Sequence, residues 1–91
     1  MEIKEDFYKD ISFLKAGKYR TKVILNMENK IKTPKDISKS AKIPMRETSR
    51  ALGELKKRGF VIVLDESAKK GRLYKLTFKG KKAFKIIKEN F

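Results

Sequence analysis

Apolar residues recur at helical spacing in both terminal parts of the chain. Near the N-terminus the intervals of four, four and three residues place one apolar stripe on a helix that ends near Gly17. A second helix is predicted from about Lys18 to Met27, and a last one begins after Thr77, which can cap it. The N-terminal stripe is Ile3, Phe7, Ile11 and Leu14, and the C-terminal one is Ala83, Phe84, Ile87 and Phe91.

The middle of the chain predicts two helices joined by a short turn. Thr33 can cap the first helix, Pro34 suits its first position, and Asp36 stands where a carboxylate reaches back to the cap. Lys42 and Ile43 form the turn. The next helix opens at Pro44, runs to about Arg58 and stops at Gly59.

The second of these helices has two contrasting faces. At helical spacing, one face is predicted to pack inward and the opposite one to point outward, with Met45 near the edge. The inner face is Thr48, Ala51, Leu52 and Leu55. The outer face is Arg46, Ser49, Arg50, Gly53 and Lys57.

Two β-compatible segments follow. Residues 60–64 are a β-branched run, and residues 72–77 alternate Leu73 and Lys75 against Tyr74 and Leu76. The polar residues between them suit the tip of a hairpin. Residues 30–32 are predicted to add a short third strand.

This succession resembles the winged helix-turn-helix of archaeal and bacterial transcriptional regulators, the broad group that includes MarR-like repressors. The stretches that carry the resemblance are residues 43–52 and residues 71–80. The resemblance implies an α+β fold of one domain over residues 1–91, with a three-helix core, a β-hairpin wing and terminal helices. Its parts are an N-terminal helical extension (1–16), the helix-turn-helix (34–58), the wing (60–77) and the C-terminal helix (78–91). The group usually has glycine where Lys42 stands, which leaves the geometry of the turn open.

Composition favours a polyanionic partner. The chain has 25 basic and 11 acidic residues, a net charge of +14. A solvated, lysine-rich surface is the alternative. However, acidic and basic residues are unevenly distributed along the chain: Glu89 is the one acidic residue after Glu66, in a stretch that contains many lysines. The basic stretch predicts contact with nucleic acid.

The resemblance implies double-stranded DNA as the partner, with the second helix in the major groove and the basic wing on the backbone or in the minor groove. The predicted DNA-binding residues are Thr33, Lys35, Met45, Arg46, Ser49, Arg50, Lys57, Lys69, Lys70 and Arg72. Arg46 and Arg50 could instead form surface pairs with Glu47 or Glu54. The wing residues could be a solvated loop. Gly53 would allow close approach of a phosphate.

Other assignments follow from what the sequence contains and lacks. Tyr74, Phe78 and Phe84 could stack on bases, but their spacing favours core packing. Without cysteine or histidine, neither an enzyme nor a metal site nor a cofactor is predicted. No apolar run is long enough to span a bilayer, and a cytoplasmic protein is expected.

Two rival functions and an oligomeric state complete the expectations. A winged-helix protein-interaction module and a sequence-neutral nucleic-acid-binding protein remain alternatives to a sequence-specific regulator. Lysines outnumber arginines, which suits a protein that binds nucleic acid without sequence preference. Arginine at two positions of the recognition helix instead favours the recognition of bases. The apolar stripes of the terminal helices predict a homodimer if they are left exposed, unless the two helices pack on each other within one chain.

Overall fold

The fold consists of helices and one antiparallel hairpin. The structure is a computed structural model that describes residues 5–28, 30–67 and 71–90. The predictions for Ile3, Lys69, Lys70 and Phe91 lie outside the described residues. The elements are α1 (Glu5–Ala16), α2 (Arg20–Met27), α3 (Pro34–Ala41), α4 (Met45–Lys57), β1 (Val61–Val63), β2 (Tyr74–Leu76) and α5 (Phe78–Asn90). Each predicted helix and both strands of the hairpin are present, and the two strands are shorter than the sequence indicated.

The start of α3 follows the predicted capping arrangement. The Thr33 hydroxyl accepts a hydrogen bond from the Asp36 backbone N–H (3.1 Å), and the Asp36 carboxylate accepts one from the Thr33 N–H (3.2 Å). That backbone hydrogen bond is the main reason why the pKa of Asp36 is lowered. The first helix of the helix-turn-helix is therefore fixed at its beginning by local contacts.

The turn between α3 and α4 keeps a left-handed residue without glycine. Lys42 has φ 57° and ψ 47°, which costs lysine about 1 kcal/mol more than it would cost glycine. The Ile43 N–H donates to the Ser38 carbonyl (3.1 Å), and the Ser38 hydroxyl donates to the Ile43 carbonyl (2.6 Å). These two hydrogen bonds close the turn in spite of the strained residue.

The wing is a short hairpin with one additional bridge. Val61 pairs with Leu76 and Val63 with Tyr74, so the inward residues of both strands face the core. Of the expected third strand, Lys32 alone forms a β-bridge to Tyr74. Both of its backbone hydrogen bonds to Tyr74 are short, at 3.0 and 2.8 Å, and they attach the loop before α3 to the wing.

The terminal helices contribute to the core of a single chain. Of the two apolar stripes, Phe7, Leu14, Ala83 and Ile87 are buried, and Ile11 and Phe84 are partly buried. The premise that these stripes would be left exposed is therefore wrong for the described residues. Helix α5 packs against α2 and β2, and α1 packs against α2.

Phe78 does not pack in the core, contrary to the sequence-based expectation. Its side chain is 86% exposed, whereas Tyr74 is buried and Phe84 is partly buried. Ala83 marks the buried face of α5, and five residues along a helix turn a side chain about 140° away from it. At the first position of α5, Phe78 consequently points to solvent.

No helix within residues 5–28, 30–67 and 71–90 combines the length and the apolar character needed to cross a bilayer.

Candidate nucleic-acid interface

Helix α4 presents a polar row to solvent. Arg46, Arg50, Gly53 and Lys57, here called the outward row, are all exposed, and they follow one another at intervals of three or four residues. The opposite face consists of Thr48, Ala51, Leu52 and Leu55, all of them buried. Both faces are as the sequence predicted. Because α2 and α3 pack against the inner face, the outward row is held rigidly on the surface.

A groove runs along one side of the outward row. It has a volume of about 1030 Å³ and lies between α4, the start of α3 and the wing. Six of the ten predicted DNA-binding residues line it: Thr33, Lys35, Met45, Ser49, Lys57 and Arg72. Residues from three separate parts of the chain thus meet in one concave, basic surface.

The remaining predicted residues lie elsewhere. Arg46 and Arg50 point outward from α4 and do not line the groove. Arg50 borders a second, smaller cleft of about 330 Å³ between α4 and the α1–α2 loop. Lys69 and Lys70 belong to the part of the wing outside the described residues.

The arginines of the outward row are not engaged by neighbouring acids. Among the described residues, the ion pair of Glu54 is with Arg20, at 3.2 Å, and neither Arg46 nor Arg50 forms one. The hydrogen bond from Arg20 is the main cause that lowers the pKa of Glu54, and Arg50 adds a smaller attraction. The alternative in which Arg46 and Arg50 form surface pairs has no support in these contacts.

The C-terminal half of α4 is anchored to α1 and α2 by cations on an aromatic ring. The Arg20 guanidinium lies 3.8 Å from the centroid of the Phe13 ring, and that of Arg58 lies 4.3 Å from it. Arg20 also donates to the Phe13 carbonyl and pairs with Glu54. Arg20 therefore fixes the orientation of α4 relative to the N-terminal helix.

Lys79 forms a second anchor. Its ammonium pairs with the Asp10 carboxylate (3.1 Å), donates to the Arg58 carbonyl (2.7 Å) and lies 4.7 Å from the centroid of the Phe60 ring. The Arg58 carbonyl is at the negative end of the α4 dipole, where a cation is favoured. Lys79 thus connects α1, the end of α4 and α5.

Sequence reasoning missed three contributors to this surface. Lys56 lines the groove because Met45, Ser49, Gly53 and Lys56 follow one edge of α4 at intervals of four, four and three residues. Extending the Met45–Ser49 edge by helical spacing would have found it. The anchoring roles of Arg20 and Lys79 depend on partners distant in sequence, and a general count of basic residues does not distinguish them.

Comparison with known proteins gives information on the fold. No protein-family model and no curated protein matches the chain. Among solved structures, the adhesin competence repressor of Streptococcus pyogenes is similar with a TM-score of 0.68 and 17% identity, over 92% of this chain and 67% of that one. A MarR family regulator from Neisseria meningitidis gives 0.68 and 20% identity, over 92% of this chain and 61% of that one. The multiple antibiotic-resistance repressor of Listeria monocytogenes is similar with a TM-score of 0.66 and 18% identity, over 91% of this chain and 65% of that one.

These similarities confirm the winged-helix fold that the sequence predicted. The chain spans about two thirds of the length of the three proteins. All three are described as repressors or as a regulator.

Proposed function

We propose that this chain is a transcriptional regulator that binds double-stranded DNA sequence-specifically, with α4 in the major groove. The observation that carries the proposal is the outward row, which is exposed on a helix whose other face is buried. A helix of 13 residues is about 20 Å long and fits a major groove about 12 Å wide. Arg46 and Arg50 lie on its first two turns, where a guanidinium can donate two hydrogen bonds to a guanine.

The groove beside α4 is suited to one strand of the DNA backbone. Lys35, Lys57 and Arg72 provide positive charge on three of its sides. Backbone contacts of this kind fix the register of a protein on the duplex and leave the reading of bases to the helix. We propose that the wing, whose sequence includes Lys69 and Lys70, contacts further phosphates or the minor groove.

The proposal is tested by selecting bound duplexes from a random pool. We expect a short preferred sequence in the presence of excess non-specific DNA, and its loss in Arg46→Ala/Arg50→Ala. Retention of the whole pool without enrichment would support the sequence-neutral alternative. Failure to retain any duplex at low salt would support a protein-interaction module.

A homodimer is part of the proposal. A regulator with two recognition helices related by a two-fold axis doubles its contacts on a palindromic site. The inner parts of the terminal stripes are used within one chain, and we place the dimer contact on the outer side of α1. Tyr8, at 60% exposure, lies there, and partly buried Ile11 borders the core. A large exposed aromatic side chain of this kind is typical of an interface.

A further inference from the structure

Helix α5 has an exposed face made almost entirely of lysine. Lys81, Lys82, Lys85 and Lys88, here called the lysine face, are all exposed. Within residues 78–89 the single acid is Glu89. Between Lys81 and Lys88 the helix advances about 10 Å, so that at least three positive charges follow one side of two helical turns.

Two of these charges lie over aromatic rings of the same chain: the Lys82 ammonium is 5.2 Å from the centroid of the Phe7 ring, and that of Lys88 is 5.8 Å from the centroid of the Phe84 ring. Helix α5 is held by Ala83 and Ile87 in the core and by the Thr77 hydroxyl, which accepts a hydrogen bond from the Gly80 N–H at 3.0 Å. The ammonium groups of Lys81 and Lys85 have no hydrogen bond or ion pair among the described residues. Like charges four residues apart destabilise a helix, and Lys81 and Lys85 are such a pair. The repulsion between Lys81 and Lys85 is therefore not offset by a hydrogen bond or ion pair of either ammonium group among the described residues.

The lysine face is separate from the interface proposed above. No residue of α5 lines the groove beside α4. Helix α2 packs against α5 as well as against α3 and α4, so that it lies between α5 and the helix-turn-helix. A duplex bound to the outward row would leave the lysine face unoccupied.

We propose that the lysine face binds the phosphate backbone of a second segment of duplex DNA, without preference for sequence. The partner class rests on the proposed function. Charge complementarity supports it, since duplex DNA carries about one negative charge per 1.7 Å of its axis. Binding to phosphates would offset the repulsion among the lysines.

Other anionic occupants fit this face less well. An interfacial helix inserts an apolar face into a bilayer, whereas the apolar face of α5 is buried and the exposed side offers Phe78 as its large apolar side chain. An interface with an acidic protein would be built around apolar or aromatic anchors, and lysine is depleted from such interface centres.

The experiment measures whether one protein holds two duplexes. Protein is bound to a surface-attached duplex at low salt, unbound protein is washed away, and capture of a second, fluorescent duplex is measured. The test variant is Lys81→Gln/Lys85→Gln/Lys88→Gln. The control, Lys9→Gln/Lys22→Gln/Lys30→Gln, removes three exposed lysines outside α5 and changes the net charge equally.

We expect wild type and control to capture the second duplex, and the test variant to capture at least tenfold less. The test variant should keep the site preference of the wild type on the first duplex and should melt at an equal or higher temperature without DNA. Equal capture by the test variant would overturn the proposal, because capture would then come from recognition surfaces. Equal loss in the control would overturn it too, since net charge alone would be responsible. Stronger binding of anionic phospholipid vesicles than of duplex, lost in the test variant, would assign the face to a membrane instead.

If selection from the random pool succeeds and capture of the second duplex fails, this inference is wrong while the proposed function stands. If no duplex binds at all, the proposed function is wrong, and the inference that rests on it is wrong as well.

Discussion

Arg46 and Arg50 differ from Lys56 and Lys57, the lysines of α4, in their position relative to the groove. They point away from the groove, whereas Lys56 and Lys57 line it. A guanidinium that donates two hydrogen bonds to a base discriminates among sequences, and an ammonium on a phosphate does not. The two arginines should therefore determine which site is chosen.

Replacing Arg46 or Arg50 by alanine should cost about 1–3 kcal/mol on the preferred site and little on random duplex. Lys57→Ala is the matched control, and it should weaken binding to both by similar amounts because it faces the groove. The measurement compares the affinity of each variant for the selected duplex with its affinity for a scrambled duplex, at a fixed salt concentration. Equal losses on both duplexes for the arginine variants would mean that they touch phosphates.

Gly53 lies in the middle of the outward row and provides a second test. An added Cβ would meet nothing within 4 Å, so the fold does not require glycine there. Gly53→Ala should stabilise the free protein by about 0.5–1 kcal/mol, because glycine weakens a helix interior. It should also weaken binding to DNA if the duplex approaches the backbone of α4 at this point. The melting temperature and the DNA affinity of the same variant test both expectations. Ser12→Ala, at an exposed position of α1, is the control. A more stable variant with unchanged affinity would place Gly53 outside the contact.

The residues that sequence reasoning misjudged depend on where the chain puts them in three dimensions. Phe78 is apolar and was assigned to the core, but the position of Ala83 on α5 turns it outward. Lys79 belongs to the lysine-rich C-terminal stretch of the sequence, but it is four residues before Ala83 and its ammonium pairs with the Asp10 carboxylate. The sequence left the geometry of the turn open at Lys42, where the group usually has glycine. In the structure Lys42 itself adopts the left-handed conformation.

At the scale of elements, the helices were predictable because their signals are local. The cap at Thr33 and the stop at Gly59, which has φ 81°, fix the helix-turn-helix from residues adjacent in sequence. The strands were predicted longer than they are, since pairing depends on a partner rather than on propensity. The groove could not be predicted as a shape, because it needs the start of α3, the edge of α4 and the wing to meet.

The contribution of the wing to DNA binding is expected to depend on salt. Lys69→Ala/Lys70→Ala should weaken binding to all sequences alike and leave the preferred site unchanged. Each phosphate contact contributes about 0.9 to the slope of log affinity against log salt. Two contacts per chain, made twice in a dimer, should therefore flatten the slope by up to about 3–4 units. An unchanged slope between low and moderate salt would show that these lysines remain solvated in the complex.

The attachment of α4 to α2 should depend on pH. The pKa of Glu54 is lowered in the folded state, chiefly by the hydrogen bond from the Arg20 side chain. A lowered carboxyl pKa stabilises the fold above the unfolded pKa, and this contribution is lost as pH falls through the folded pKa. Since the pair is partly exposed, we expect it to contribute about 0.5 kcal/mol.

Glu54→Gln should therefore be less stable than wild type at pH 7, and the difference should shrink in acid as Glu54 of the wild type becomes protonated. Urea denaturation at several pH values and low salt measures it. Asp36, whose pKa is lowered as well, is retained in both proteins, so its own titration cancels from the difference. A difference that stays constant with pH would indicate that packing, rather than charge, is lost.

The whole molecule combines one well-filled core with an excess of positive charge. Arg20 and Lys79 use two of its 25 basic side chains to connect the terminal helices to α4. A displacement of α1 would therefore strain the Arg20–Glu54 and Lys79–Arg58 contacts at the end of the recognition helix. This arrangement gives an interface on α1 a physical connection to the DNA-binding surface.

The last prediction concerns that interface. If α1 supports a homodimer, light scattering at tens of micromolar should give twice the 10.6 kDa of one chain. Tyr8→Lys should shift the mass towards the monomer, because it places a charge on the exposed aromatic position of α1. Leu25→Lys, a comparable change at a less exposed apolar residue of α2, should not.

In a dimer the selected DNA should contain two half-sites about one helical turn, roughly 34 Å, apart, and Tyr8→Lys should bind a single half-site with undiminished affinity. A monomer mass for the wild type, together with a selected site that lacks two-fold symmetry, would show that one copy of α4 reads the DNA alone.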